Sequence, residues 1–497
     1  MRCVSAVAAV LATFVFCSLP PCSCHAGSEA SIAPRLLKVV ALSRHGVRSP
    51  TQSPETLASW STRRWPVWNA SPGDLTERGA DLIRAEWAGM RKALAFDDLL
   101  PASECPDEGS ILVYADNEER TMATARAMLE GLAPGCGMKI LSRPEGTDPV
   151  FHPVRSGFMK PPVLSPAERA TLAGELSALQ TELGEDIARI ASLLGPAAPS
   201  LCAPGQTCCT LSSIPTALEF PGKNSRANVS LHGGLAMAST AAEILLLESL
   251  EWPERAQIVP ARLPDARPQY PGTPVERKAR QIIMAPRSDR PDTLPLAFAP
   301  RWKPTPVQLK NNELLINPAA AFKLLRVHTR VQNAVQRFSP VAGQDGMPLL
   351  LLMTEVLAGT SPLEEANRAQ VVVFSGHDTN IVNLAGLLGL HWNNSHFPAD
   401  STPPGSMLLF RLWDTPQGRI VQPSFLCQTS TAFLSTDDTV MSGAALRQES
   451  LLLPEAFTET PAGPGLTLDA FLALVHGLAG DELASRLPGL FPEENRP

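Results

Sequence analysis

Leu36-Leu37-Lys38-Val39-Val40-Ala41-Leu42-Ser43-Arg44-His45-Gly46-Val47-Arg48-Ser49-Pro50-Thr51 is an apolar, β-branched run that ends abruptly in a cationic cluster. The run has the length and composition of a buried strand. Two other places repeat the pattern. Ile111 to Ala115 leads into Asp116 to Thr121, which contains Arg120, and Val371 to Ser375 leads into His377-Asp378-Thr379-Asn380. Each cluster then enters a helix-like segment. In an open α/β sheet, ligands bind just beyond the carboxyl ends of the strands. Three such ends therefore bring two histidines, three arginines and an aspartate to one place.

Around these stretches strands and helices alternate. Leu37–Ser43, a helix over Thr76–Leu94, Ile111–Ala115, a helix over Glu119–Gly131 and a strand over Lys139–Ser142 follow one another. That alternation predicts an α/β fold with a mostly parallel central sheet flanked by helices. Thr76 reads as an N-cap and Ser165-Pro166 as a helix start. From His152 to Glu251 strand signals fade, and Gly174–Leu194 and Gly233–Leu250 show helical apolar spacing. The expected organisation is a leader over 1–26, α/β structure over 34–150, an inserted mainly helical second domain over 151–330, and the rest of the α/β domain over 331–497. Within the insertion, 253–308 is rich in Pro and Arg and reads as a solvated connector or a basic flap. Helices are expected over Ala319–Phe338, Leu349–Ala358, Asp378–Leu390 and Leu466–Leu478, with late strands, antiparallel partners, over Met407–Trp413 and Arg419–Leu426.

At 497 residues, with 44% hydrophobic and 18% charged residues, the chain can bury a full core and is expected to form two domains. Its net charge of -7 gives no basic field for nucleic acid. Met1-Arg2, an apolar stretch from Val4 to Leu19 and small residues up to Cys24-His25-Ala26 read as a secretory signal, cut after Ala26. That places the mature protein in the periplasm or outside the cell, with no membrane association once the leader is gone. The sequons at Asn69, Asn228 and Asn393 matter only in a eukaryotic host. Six cysteines remain beyond the leader. In an exported chain they favour disulfides: Cys105 with Cys136, Cys202 with Cys208 or Cys209, and the leftover of that adjacent pair with Cys427.

The chemistry follows from residue type. Guanidiniums are permanently charged planar forks that match phosphate oxygens. Arg44 and Arg48 flank His45, and their charge keeps its imidazole neutral and nucleophilic in acid. Such a histidine splits phosphoryl transfer into two steps through a phosphohistidine. Arg120, at a helix start, either joins an anion site or pairs with Glu118 or Glu119. His377 can donate to a phosphate oxygen. Asp378 can protonate a leaving alcohol, or simply cap its helix. Neither a carboxylate cluster for magnesium nor a Gly-rich phosphate loop is present, so no metal or other cofactor is expected. His232 and His328 lie in helical surroundings and read as structural or substrate-lining. His152, His391, His396 and His476 show no supporting partners.

Arg44-His45-Gly46-Val47-Arg48-Ser49-Pro50 resembles the nucleophile motif of the histidine acid phosphatases, and His377-Asp378 resembles their proton-donor motif. Asp116 to Thr121, Gly131-Leu132-Ala133-Pro134, Asn228 to Leu231, Gly376 to Asn380 and Thr402-Pro403-Pro404-Gly405 are similar to the bacterial periplasmic branch of 4-phytases, acid phosphatases and glucose-1-phosphatases. The resemblance implies a phosphoglycerate-mutase-like α/β domain with a helical one beside it. It implies His45 as nucleophile, Asp378 as acid, and Arg44, Arg48, Arg120 and His377 as the phosphate clamp. Thr51 matches a substrate-contacting position of phytases, whereas Gln52 stands where similar phytases commonly carry Lys. The expected activity is hydrolysis of small phosphomonoesters at acid pH, phytate and sugar phosphates among them. A glucose-1-phosphatase-type sugar phosphatase, a phosphoglycerate-mutase-like phosphotransferase and a non-catalytic phospho-ligand binder are the alternatives. Oligomeric state is left open.

Overall fold

The computed structural model describes residues 34–202, 205, 209–222, 225–253, 317–393, 396–435, 446–451, 458–460 and 463–491. The leader over 1–26, nearly all of the 253–308 segment and Cys208 lie outside them.

The opening stretch forms β1 (Arg35–Arg44), the fifth strand along a nine-stranded sheet. The others are β2 (Ile111–Ala115), β3 (Ile140–Ser142), β6 (Val371–Gly376), β7 (Met407–Thr415), β8 (Gly418–Gln428), β9 (Leu446–Ser450), β10 (Thr458–Thr460) and β11 (Gly463–Thr467). A separate hairpin pairs β4 (Ala217–Glu219) with β5 (Ser230–His232). The order across the main sheet is β10-β11-β8-β7-β1-β6-β2-β3, with β9 added to β8. The sheet is mixed. β1, β6, β2 and β3 run parallel, as the alternation with helices predicts, and β7 turns the other half antiparallel. Because β1, β6 and β2 are parallel neighbours, their polar clusters emerge at the same edge.

Side chains alternate across the strands. Val39, Ala41, Val113, Val371 and Val373 meet the helices Glu77–Phe96 and Glu119–Leu132 on one face. Val40, Leu42, Leu112, Val372 and Phe374 meet Ser339–Ala358, Asp378–Leu388 and Leu468–Arg486 on the other. A second core gathers Pro166–Glu182, Gly184–Leu194, Gly234–Glu251 and Pro318–Gln336 around Leu176, Ile190, Leu245 and Leu324.

Several sequence expectations shift. The helix expected to start at Leu349 starts at Ser339 and carries Pro348 inside. An interior proline costs ~3 kcal/mol. Burying Met347 and Leu349 to Leu352, each worth ~1.5–3 kcal/mol, outweighs it. The helix expected from Leu466 begins at Leu468, because Leu466 and Thr467 complete β11 against β8. Cys105 pairs with Cys136, and Cys202 with Cys209. Cys427 is buried in β8. No helix among the described residues is long and apolar enough to cross a membrane.

Candidate active site

The ends of β1, β6 and β2 are locked together by their backbones. Arg44 N–H donates to Ser406 O at 2.9 Å, His45 N–H to Gly376 O at 3.0 Å, and Asp116 N–H to Ser375 O at 3.1 Å. The Thr402–Ser406 loop closes over this junction, with Gly405 N–H on His45 O at 3.0 Å. Gly405 has φ +77°, and a Cβ there would stand 2.6 Å from Glu86 Oε2, so only glycine fits.

His45 is buried, and its Nδ1 lies 2.9 Å from Gly46 O. A carbonyl only accepts, so Nδ1 carries the proton and Nε2 keeps its lone pair. Burial, then the charges of Arg44, Arg48 and Arg120 and the His377 ring, hold its pKa well below the usual histidine range. The neutral imidazole therefore persists to lower pH than in an ordinary histidine.

Arg44 is 1% exposed. Its guanidinium reaches Thr402 O, Glu243 Oε1 and, at 3.0 Å, Asp378 Oδ2. Arg48 donates to Ser49 O at 3.0 Å and to Glu243 Oε2 at 3.1 Å. Arg120 pairs with Glu118, one of the two acidic partners expected for it, and its Nη2 stands 3.4 Å from His377 Nδ1. The Nε–H groups of Arg44, Arg48 and Arg120 are buried without a hydrogen-bond partner among the described residues. Leaving a buried donor unmet costs ~1–3 kcal/mol, more for a charged group. Three such donors near one histidine could be met by an anion.

His377 occupies the N-cap of Asp378–Leu388, the place the sequence offered to Asp378. Its Nε2 lies 2.7 Å from Asp116 Oδ2. Asp378 is the first helical residue and accepts from Thr379 N–H at 2.7 Å. Burial pushes its carboxyl up and Glu243 adds to that, but Arg44, with His328 and His45, outweighs both and brings it to about 2. Thr51 is exposed at the rim beside Gly73, whose open Cα also faces Arg120, and Gln52 is half-buried next to it.

Sequence reasoning missed Glu243 and His152, and read His328 only as structural or substrate-lining. Glu243, from the middle of Gly234–Glu251, bridges Arg44 and Arg48; they hold its carboxyl below the usual range despite burial. His328 brings its Nε2, buried and without a hydrogen bond among the described residues, to 4.0 Å from Asp378 Oδ2. His152, which showed no partner in sequence, places Nε2 2.8 Å from Asp116 Oδ2. The others set aside are paired as well: His391 with Asp400, His476 with Glu355, His396 with Ser430. His232 sits on β5 with Glu219 rather than in a helix. Asp116, Glu118, His152 and His377 are close enough to share a metal ion, as are Glu243, His328 and Asp378. In both sets the central carboxylate is already engaged by nitrogen donors.

An uncharged buried imidazole with one open nitrogen, ringed by guanidiniums at the edge of an α/β sheet, is chemically suited to holding and attacking a phosphate ester. Residues 35–176 match the model of the histidine phosphatase superfamily (branch 2). That match takes in under a third of the chain, which is similar to phosphatases over most of its length and is a hydrolase. It is 29% identical to the phytase AppA of Escherichia coli (strain K12) over 433 residues, covering 85% of this chain and 87% of that protein. It is 23% identical to the glucose-1-phosphatase of Salmonella typhimurium over 388 residues, covering 76% and 77%. Its fold superposes on the Hafnia alvei phytase solved in complex with myo-inositol hexakis sulphate, with TM-score 0.66, 25% identity, and coverage of 91% and 99%.

Proposed function

We propose that the protein is an exported acid phosphomonoesterase in which His45 is the nucleophile, Asp378 the general acid and base, and Arg44, Arg48, Arg120 and His377 the phosphate clamp. The three unpartnered guanidinium N–H groups around an uncharged His45 carry this reading. The lone pair on Nε2 attacks phosphorus, and the bond from phosphorus to the ester oxygen breaks. Asp378 gives its proton to that oxygen. Water then attacks the phosphohistidine, Asp378 takes a proton from it, and phosphate leaves as His45 regains its neutral form.

A carboxyl held at about 2 by Arg44 is ionised at the pH of the reaction, so its proton must come from elsewhere. Phosphate monoesters lose their second proton near pH ~6, so in acid the substrate arrives as a monoanion carrying one. As the phosphoryl oxygens engage Arg44, they replace the attraction that depressed Asp378, and the substrate proton passes to its carboxylate. This ties the acid optimum to the substrate's own titration.

The substrate is a compact phosphomonoester, phytate or a sugar phosphate, with Thr51 and Gln52 at the rim where substrate enters. A phytase relative solved with an inositol polysulphate supports a polyanion among the ligands. The apolar N-terminal leader supports a periplasmic or secreted location. His45→Ala should abolish hydrolysis of p-nitrophenyl phosphate between about pH 4 and 6, and with it the acid-labile phosphoenzyme trapped from the wild type. Residual turnover in that variant, comparable to wild type, overturns the assignment.

A further inference from the structure

Asp116 Oδ2 is shared by two imidazoles. His377 Nε2 lies at 2.7 Å and His152 Nε2 at 2.8 Å, while Oδ1 takes the Asn117 N–H at 2.9 Å. A carboxylate oxygen only accepts, so both rings carry their proton on Nε2. That choice leaves Nδ1 of a neutral His377 turned to Arg120 as an acceptor. The two rings are tilted, with centroids 5.1 Å apart. The segment bearing His152 is itself fixed. Asn380 Nδ2–H donates to Phe151 O at 2.9 Å, Val150 N–H to Asp148 Oδ1 at 2.8 Å, and the Tyr114 hydroxyl to Asp148 Oδ2 at 2.8 Å. His152 thus ties the end of β2 to the start of the Asp378–Leu388 helix.

We infer that His152 is a positioning residue of the phosphate clamp: through the Asp116 oxygen it shares with His377 it orients that ring, and its own proton supplies positive charge that helps hold the anion. The inference rests on reading the site as a phosphate site. Charge makes the second half of it necessary. Four carboxylates, Asp116, Glu118, Glu243 and Asp378, stand against three guanidiniums, Arg44, Arg48 and Arg120. The imidazoles decide the balance.

His152 faces Asp116 and Glu118 after β2, His377 at the helix N-cap and Arg155 on its own short helix, and its charge reaches Asp345 on Ser339–Ala358. Burial lowers the affinity of His152 for its second proton, but the Asp116 hydrogen bond and charge, with Glu118, more than offset it. His377 goes the other way, since burial, with Arg120 and the His152 ring, outweighs the same carboxylate. The pair therefore takes its extra proton on His152. That charge is present below its pKa, which lies above the usual ~6.5, and is lost as pH rises through it.

His152→Gln keeps an N–H donor of similar reach and removes the titration; His152→Ala removes both. Steady-state kinetics with p-nitrophenyl phosphate, and inhibition by inorganic sulfate, a dianion throughout, are followed from about pH 4 to 8. In the wild type, sulfate inhibition should weaken about tenfold in a step above pH ~6.5. Both variants should lack that step. The Ala variant should lose about tenfold or more in kcat, and the Gln variant should recover most of it. If the Ala variant melts early, the Gln variant alone carries the test, because loss of the step with near-normal kcat is no consequence of misfolding. Variants that keep both the step and wild-type kcat overturn the role of His152. A wild-type protein without phosphatase activity would instead overturn the function on which it rests.

Discussion

Asp378 meets the Arg44 guanidinium with one carboxylate oxygen and a backbone N–H with the other. An asparagine retains one acceptor for these contacts but has no proton to give. Asp378→Asn should therefore slow alkyl phosphates by ~10²–10⁴-fold and p-nitrophenyl phosphate far less, because nitrophenolate leaves without protonation. Equal slowing of both esters would remove Asp378 from the proton transfer. At this scale the sequence was a good guide wherever polar residues follow a strand directly. Arg44, His45, Arg48, Arg120, His377 and Asp378 are all brought together. His152 and Glu243 were not legible, and His328 only as a structural or substrate-lining residue, because each is placed by the tertiary arrangement of its helix or loop. A pattern of the form apolar strand, polar cluster, helix surrounds none of them.

Among the elements, the Glu77–Phe96 helix is pressed from two sides with no room for a methyl group. A Cβ on Gly79 would stand 2.1 Å from Val47 O, and one on Gly131 would stand 2.2 Å from Arg84 O. Both obstacles are backbone, so neither can swing aside. Alanine at either position should lower stability by ~1–3 kcal/mol, read as an earlier thermal transition. Only Gly79→Ala should also lower kcat, since Val47 follows His45 by two residues, whereas Arg84 touches no site residue. Wild-type kcat in folded Gly79→Ala would show that the nucleophile loop tolerates the shift. Element types were mostly legible, with the Thr76 and Ser165 caps in place. Boundaries failed where packing overrides local preference: Pro348 lies inside a helix because its neighbours are buried, and Leu466 and Thr467 are drawn into β11 by β8.

For the molecule as a whole, alternating strands and helices predicted the parallel half of the sheet, which carries the site. The antiparallel half was legible only as β7 and β8. β9, β10 and β11 are three to five residues long and include glycines and polar residues, so neither periodicity nor β-propensity marks them. Of the staples, the Cys105–Cys136 bridge was legible from its spacing around β2. For Cys202, sequence left two partners open, and the structure supplies Cys209.

Val39 pairs with Val371, and Ile111 with the same residue from the other side. Joining β1 to β6 closes a loop containing most of the chain, among the slowest kinds of contact a folding protein makes. Hydrolysis thus works as a clock for the last event of folding. On dilution from denaturant, helical circular dichroism should return first and turnover later, with a lag that the helical signal does not show. Activity rising in step with the earliest helix would mean that the nucleophile finds its acid before the sheet is closed.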